Sequence, residues 1–151
     1  MIKVLFVCHG NICRSPMAEF VFKDMVEKAG IAEDYVIASV ATSREEIGNG
    51  VYPPVRRILN QKGIDCSKKR ARQLTKEEYD EWDYIIGMDG WNMRNIDRIF
   101  GNGDPEDKCY KMMEFAGSGE DVEDPWYSGL FDEVYEQIKR GCEGLLAETR
   151  K

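Results

Sequence analysis

The first 30 residues constrain the fold most, because they join a buried strand to a helix through a short polar loop. Residues 2–7 form a nearly continuous apolar run rich in β-formers, which is typical of a strand buried in a parallel sheet. Apolar residues then recur at helical spacing over residues 18–29. Ser15 and Pro16 supply an N-cap and a first-turn proline for this helix, and Gly30 ends it. Such a strand–loop–helix unit predicts an α/β protein with a parallel sheet.

The rest of the chain repeats this alternation of strand and helix. Further strands are predicted at residues 35–41, 84–88 and 109–113, with helices at residues 53–62, 91–100 and 130–145 and a short one capped by Thr75. The alternation predicts a doubly wound α/β fold, with a four-stranded parallel sheet and helices on both faces. No repeat or linker interrupts it, and 151 residues suit one hydrophobic core, so we expect a single domain over residues 1–151.

Charge and cysteine usage argue against several classes of function. The net charge of −7 disfavours a nucleic-acid-binding surface, and no apolar run approaches the roughly 20 residues that a membrane helix needs. The five cysteines are an odd number without an export signal, so we expect reduced thiols in a cytoplasmic protein. The single histidine, His9, and the absence of a Cys-x-x-Cys pair disfavour structural zinc. We therefore expect no nucleic-acid partner, no membrane partner and no metal.

The loop between the first strand and the first helix is a predicted anion cradle. It lies at the carboxyl end of a strand, where α/β sheets bind ligands, and it presents free backbone N–H groups at a helix N-terminus. Gly10 and Asn11 tolerate the left-handed backbone that a tight curl requires. The loop runs from a cysteine to an arginine, and the residues between them are His9, Gly10, Asn11, Ile12 and Cys13. Ser15 follows the arginine and completes the predicted phosphate loop.

Cys8 and Arg14 flank this loop with five residues between them. The backbone donors favour a thiolate at Cys8, and the planar guanidinium of Arg14 can hold two anion oxygens at once. A thiolate below a bound phosphate is the geometry for phosphoryl transfer to sulfur, with the Ser15 hydroxyl stabilising the sulfur when it leaves. Two other interpretations are an inert buried cysteine and a protease pair of Cys8 with His9, although sequence neighbours in a loop rarely point at each other.

An acid for the leaving group is predicted in the polar stretch 114–128, which we expect to be a long acidic loop. Cleavage of an aryl phosphate requires a proton on the departing oxygen, which a carboxylic acid can supply. Asp124 is the candidate because Pro125 stiffens the turn after it, and because Trp126 and Tyr127 can bind an aromatic substrate ring. For the other acidic residues of this stretch we favour a solvated loop without a catalytic role.

These motifs resemble the low-molecular-weight protein tyrosine phosphatases. The most specific match is the run from Val7 to Pro16, and residues 124–127 (Asp-Pro-Trp-Tyr) provide a second match near the C-terminus. Residues 71–75 (Ala-Arg-Gln-Leu-Thr) and 83–89 (Asp-Tyr-Ile-Ile-Gly-Met-Asp) resemble internal segments of the family. The resemblance covers almost the whole chain, in order and at family spacing.

The resemblance implies a phosphatase that needs no metal or organic cofactor. In this family Cys8 would be the nucleophile, Arg14 would bind phosphate and stabilise the transition state, and Asp124 would act as general acid and then as general base. The implied substrates are phosphotyrosine proteins or small aryl phosphates, with inorganic phosphate or another oxyanion held in the loop. The implied assembly is a monomer or a weak dimer.

The resemblance also implies roles for residues around the catalytic ones. Asn11 shapes the loop, and Ser39 matches a family serine that braces Asn11. Family members can join the cysteines equivalent to Cys8 and Cys13 as a reversible disulfide, which predicts peroxide inactivation that a thiol reverses.

Several positions depart from the family pattern, among them residues 40–42 (Val-Ala-Thr), where bacterial members usually have Ala-Gly-Thr. Lys69 stands where many members have a histidine that supports the phosphate loop. Glu45 falls near a substrate-binding position that is often aromatic or hydrophobic, and an acid there would disfavour acidic phosphopeptides.

Three alternative functions share the fold or the cradle. Arsenate reductases need two further, closely spaced cysteines after the third strand, and residues 87–98 contain none. Phosphoarginine phosphatases have threonine in place of Ile12 and a small residue after the Asp-Pro pair. A non-enzymatic phosphate-binding module would keep the cradle and lack the nucleophile or the acid.

Overall fold

Four parallel strands form one sheet in the computed structural model, which describes residues 1–151. The strands are β1 (Ile2–Cys8), β2 (Tyr35–Ala41), β3 (Tyr84–Gly87) and β4 (Cys109–Lys111), and their spatial order is β2–β1–β3–β4. β1 is central and pairs with β2 over its whole length, from Ile2 opposite Tyr35 to Cys8 opposite Ala41. The predicted four-stranded parallel sheet is therefore confirmed.

Five α-helices and three 3₁₀ helices connect the strands. The α-helices are α1 (Arg14–Lys28), α2 (Pro53–Gln61), α3 (Gly90–Phe100), α4 (Pro125–Ser128) and α5 (Phe131–Thr149), and the 3₁₀ helices span Ala32–Asp34, Lys76–Glu81 and Met112–Ala116. None of the helices combines the length and the apolar character that crossing a membrane requires.

Both faces of β1 are buried, which explains its almost continuous apolar sequence. Val4 and Phe6 belong to a core cluster of 27 residues that includes side chains of α1, α2 and α5. Leu5 and Val7 belong to a second cluster of nine residues that includes side chains of α3. Helices therefore cover both faces of the sheet, as predicted for a doubly wound fold.

The start of α1 differs from the prediction. Ser15 was expected to be the N-cap, but the helix begins at Arg14 and its N-cap residue is Cys13, which makes no side-chain capping bond. The reason is that the Ser15 hydroxyl bonds to Cys8 and Asn11 instead. The predicted Ser15 cap was wrong because side-chain partners in the loop outcompete the helix terminus for this hydroxyl.

Three other element boundaries are shorter or tighter than predicted. Thr75 does form a capping box, but it starts a 3₁₀ helix rather than an α-helix. β4 ends at Lys111, because the buried residues Met112 and Met113 begin another 3₁₀ helix. That helix and α4 occupy both ends of the expected loop 114–128, so residues 117–124 alone lie outside helices.

The carboxyl edge of the sheet gathers three connecting segments. The loop after β1 leads into α1, and the segment after β2 follows it closely because Thr42 N–H donates to Cys8 O (2.9 Å) and Ser43 N–H donates to His9 O (3.0 Å). The segment after β3 carries Asp89 into α3. This convergence at the strand ends places the predicted phosphate loop beside two further loops.

Candidate active site

The sulfur of Cys8 lies at the centre of the loop that follows β1. Its Sγ receives backbone N–H groups from Asn11 (3.3 Å) and Ser15 (3.4 Å), and it lies 3.0 Å from the Ser15 Oγ. Because Asn11 Nδ2 donates to that same oxygen (2.7 Å), the Ser15 hydroxyl proton has two acceptors within reach, the Cys8 sulfur and the Val40 carbonyl (3.4 Å). Cys8 is 3% exposed, so these groups, rather than solvent, surround its sulfur.

Asn11 holds the loop in its curled conformation. Its φ angle is +59°, in the left-handed region that asparagine tolerates better than most residues. The buried side-chain amide donates to Ser15 Oγ and Ser39 Oγ (2.9 Å), and its oxygen accepts the Arg72 N–H (3.3 Å). These bonds offset the roughly 1–3 kcal/mol that such a backbone angle costs. Ser39, expected to brace Asn11, is in direct contact with it.

A buried ion pair supports Ser39 from behind the loop. The Ser39 hydroxyl donates to Glu19 Oε1 (2.5 Å), and Lys69 Nζ donates to the Ser39 carbonyl (2.7 Å) while lying 3.5 Å from the same carboxylate oxygen. Lys23 binds the other oxygen of Glu19 at 2.6 Å. Burial lowers the pKa of Lys69, and the attraction of Glu19 opposes that shift. Lys69, which departs from the family histidine, therefore still reaches the network behind the phosphate loop.

The guanidinium of Arg14 is fixed by oxygens from two other loops. Its Nη1 donates to Asp89 Oδ2 (2.8 Å) and to the Val122 carbonyl (3.0 Å), and its Nη2 lies 3.6 Å from Asp124 Oδ2. Burial opposes the charge of Arg14, but Cys8 and Asp89 outweigh it and raise the pKa of the guanidinium. Arg14 therefore stays charged, and it lines the same cavity as Cys8.

Asp124 approaches the site as the N-cap of α4. Its Oδ1 accepts the Trp126 N–H (3.1 Å), which leaves Oδ2 on the side of Arg14. The residue before the acidic pair is firmly anchored: Val122 is 1% exposed, and its N–H donates to the Met88 carbonyl (2.8 Å). The predicted acid is thus delivered beside the predicted phosphate-binding arginine.

A cavity of about 190 Å³ brings the predicted residues together. It is lined by Cys8, His9, Gly10, Ile12, Cys13, Arg14, Glu45, Glu46, Asp124, Trp126 and Tyr127. At its rim the His9 ring lies 2.9 Å from Glu45, and Trp126 and Tyr127 are 53% and 86% exposed. Asn11, Ser15 and Ser39 lie beneath the loop and do not line the cavity. A tetrahedral anion at the floor and an aromatic ring at the rim fit this arrangement.

Cys13 shares the cavity with Cys8 but differs in its chemistry. Burial, followed by the charge of Cys8, raises the pKa of Cys13 to about 12. Cys13 is therefore a neutral thiol at physiological pH, whereas Cys8 receives three donors.

Four residues contribute to the site in ways that the sequence did not predict. No role was assigned to three of them, and Lys69 was noted only as a departure from the family pattern. Glu19 and Lys69 act through Ser39, Glu46 lines the cavity, and Asp89 binds Arg14. An aspartate two residues after β3 was a usable signal, because the carboxyl ends of neighbouring parallel strands meet at one edge. Glu19 carried no such signal, since an acid on an amphipathic helix is usually solvent-exposed.

Comparison with known proteins identifies relatives of this chain. The family model described as low molecular weight phosphotyrosine protein phosphatase matches residues 3–151. The chain is 39% identical to the low molecular weight protein-tyrosine-phosphatase YfkJ of Bacillus subtilis over 153 residues, which cover 100% of this chain and 97% of that protein. The crystal structure of YfkJ superposes with a TM-score of 0.93 at 38% identity, covering 99% of this chain and 95% of that one.

An arginine phosphatase is also similar in structure. The crystal structure of the drosophila arginine phosphatase DARP gives a TM-score of 0.90 at 29% identity, with 99% of each chain covered. The match of the family model over nearly the whole chain, together with relatives close to 40% identical, identifies the family. The chain belongs to the low molecular weight phosphotyrosine protein phosphatase family.

Proposed function

We propose that this chain is a single-domain protein tyrosine phosphatase that hydrolyses aryl phosphate monoesters through a phosphocysteine on Cys8. One observation carries the proposal: a cysteine sulfur with three hydrogen-bond donors lies in one cavity with a buried arginine and a carboxyl group. This set contains a nucleophile, a phosphate-binding group and an acid, which together are sufficient for in-line phosphoryl transfer.

In the first step the thiolate of Cys8 attacks the phosphorus atom. The sulfur–phosphorus bond forms while the bond from phosphorus to the phenolic oxygen breaks. Asp124, in its protonated form, gives its proton to that departing oxygen, so a neutral phenol leaves. Arg14 and the loop N–H groups bind the phosphoryl oxygens as their charge redistributes.

In the second step water hydrolyses the phosphocysteine. The Asp124 carboxylate, now deprotonated, takes a proton from the water as the oxygen attacks phosphorus. The phosphorus–sulfur bond breaks, and the sulfur leaves as a thiolate that the Ser15 hydroxyl and the two backbone N–H groups stabilise. Inorganic phosphate is released, and Asp124 is again protonated for the next cycle.

The side chains at the cavity rim favour an aromatic substrate. Ile12, Trp126 and Tyr127 offer apolar and aromatic surface to a phenyl ring. The structural similarity to DARP makes phosphoarginine the second candidate substrate. Arsenate reduction is disfavoured because Cys66 and Cys142 are buried, and burial raises the pKa of both thiols, so neither is suited to carry a disulfide outward.

Turnover of matched substrates by wild type and by Cys8→Ser tests the proposal. We expect wild type to release phosphate from p-nitrophenyl phosphate and a phosphotyrosine peptide faster than from phosphoarginine or phosphoserine peptides. Cys8→Ser should lose this turnover, and the matched control Cys109→Ser, outside the cavity, should keep it. Tight phosphate binding by wild type without release from any substrate would indicate a binding module instead.

A further inference from the structure

Tyr52 connects the acid-bearing segment to the phosphate loop through its ring and its backbone. Its backbone N–H donates to the carbonyl of Ile12 in that loop (2.9 Å). Its ring contacts the ring of Trp126, two residues after Asp124, with the ring centroids 4.9 Å apart. Tyr52 does not line the cavity itself. It therefore lies behind Trp126 and joins the nucleophile's loop to the helix that Asp124 caps.

Local sequence makes Tyr52 a rigid support. Pro53 and Pro54 follow it as the first two residues of α2, and a proline restricts the residue before it to extended angles. The observed φ and ψ of Tyr52, −59° and 136°, lie in that region. The Tyr52 N–H is also bonded to Ile12, so the backbone that carries the ring is held on both sides. This backbone therefore loses little further conformational entropy when the ring makes its contacts.

The ring of Tyr52 also stacks on Phe131, the first residue of α5, with a centroid distance of 6.0 Å and an interplanar angle of 26°. Trp126 and Phe131 lie on either side of Gly129, whose φ of +74° ends α4. Tyr52 thus contacts the segment both before and after this turn. The segment on the other side of Asp124 is held independently by the buried Val122.

We infer that Tyr52 is a positioning residue for Asp124: it holds α4, through Trp126 and Phe131, where the carboxyl group reaches the substrate's leaving oxygen. The inference depends on the proposed function, in which Asp124 supplies a proton. Trp126 is 53% exposed even with the Tyr52 ring in place, so loss of that ring removes its aromatic partner and lets α4 sample positions in which Asp124 is too far away to donate. The thiolate and Arg14 keep their contacts, because none of them involves the Tyr52 side chain.

The test compares Tyr52→Leu with Tyr52→Phe on aryl phosphates of graded leaving-group acidity. The value of kcat/KM reports the steps up to departure of the phenol, where the acid acts. For a poor leaving group such as phenol, we expect Tyr52→Leu to lower kcat/KM about three- to tenfold, the range that loss of one aromatic pair allows. For p-nitrophenol, which needs little protonation, the change should be under about twofold. Tyr52→Phe, which retains the ring, should resemble wild type on every substrate.

A second variant, Phe131→Leu, removes the other ring of the stack and keeps Tyr52. It should shift the leaving-group dependence in the same direction by a smaller factor, and it tests the inference even if Tyr52→Leu does not fold. An equal loss on all leaving groups, or no loss on any, would overturn the inference. Failure of wild type to turn over any aryl phosphate would overturn the proposed function instead, and the inference with it.

Discussion

Substitution of Asp89 tests how the site is held together, because both oxygens of this carboxylate are used. Oδ1 accepts the Asn92 N–H (2.7 Å) and caps α3, whereas Oδ2 binds Arg14 at 2.8 Å. Asp89→Ala removes both contacts. The lost cap costs about 1 kcal/mol of folding free energy, and the lost charge-assisted bond costs about 1.5–3 kcal/mol.

The Arg14 contribution has a clear upper limit. Stripping a buried charge of its partner usually costs about 3–5 kcal/mol. Arg14 keeps the Val122 carbonyl and the nearby Asp124 carboxylate as partners. The smaller cost, about 1.5–3 kcal/mol for one lost charge-assisted bond, therefore applies. We therefore expect Asp89→Ala to destabilise the protein by about 2.5–4 kcal/mol in total. In addition, kcat/KM for an aryl phosphate should fall at least about tenfold, because Arg14 loses its orienting partner.

Urea unfolding of two aspartate variants and one control separates these contributions. Asp89→Asn retains an amide oxygen for the cap, so it should be about 1 kcal/mol more stable than Asp89→Ala while losing similar activity. The matched control Asp97→Ala, an exposed position on the same helix, should stay within about 0.5 kcal/mol of wild type. Equal stability of Asp89→Ala and Asp89→Asn would refute the capping argument, and wild-type activity in both would refute the role assigned to the Arg14 contact.

Four further predictions concern the acid, the second loop cysteine and Lys69. Asp124→Ala should lower kcat/KM about 100-fold or more for poor leaving groups and least for p-nitrophenol; an equal loss across leaving groups would remove Asp124 from the acid role. Because the pKa of Cys13 is raised to about 12, iodoacetamide below about pH 10 should alkylate Cys8 and leave Cys13 unmodified by mass spectrometry. Peroxide should inactivate the enzyme reversibly through a Cys8–Cys13 disulfide, and irreversible loss without that crosslink would contradict it. Lys69→Met should lower both the unfolding midpoint and kcat, because it removes the bond to the Ser39 carbonyl. The control Lys68→Met, at the adjacent exposed position, should change neither. Equal effects of the two substitutions would mean that the bond from Lys69 to Ser39 is unimportant.

Elements defined by local pattern were predictable from the sequence. The range of β2, residues 35–41, agrees with the predicted strand because both of its ends are marked by changes in apolar content. The loop after β1 was predictable because glycine, asparagine and a spaced Cys–Arg pair carry their own backbone and chemical requirements. A phosphate cradle is a local structure, and its residues are neighbours in the chain.

Contacts between distant segments were not predictable in this way. Arg14 and Asp89 are 75 positions apart, and Ser39 and Glu19 are 20 apart, so no periodicity links them. Ser15 illustrates the limit, since its type and position suit an N-cap equally well. Only the curl of the loop, which places Cys8 Sγ 3.0 Å from Ser15 Oγ, decides which partner the Ser15 hydroxyl takes.

The contact between Arg14 and the carbonyl of Val122 spans 108 positions of the chain. The nucleophile's loop leaves the ribosome 108 residues before Val122, so its arginine acquires this partner only after that length of chain has been added. A chain that lacks this segment or has not yet folded it would hold the cysteine loop without the Val122 contact of its guanidinium and without the acid. Recovery of catalysis during refolding should therefore lag behind formation of the central strand pair, which makes enzyme activity a late reporter of folding.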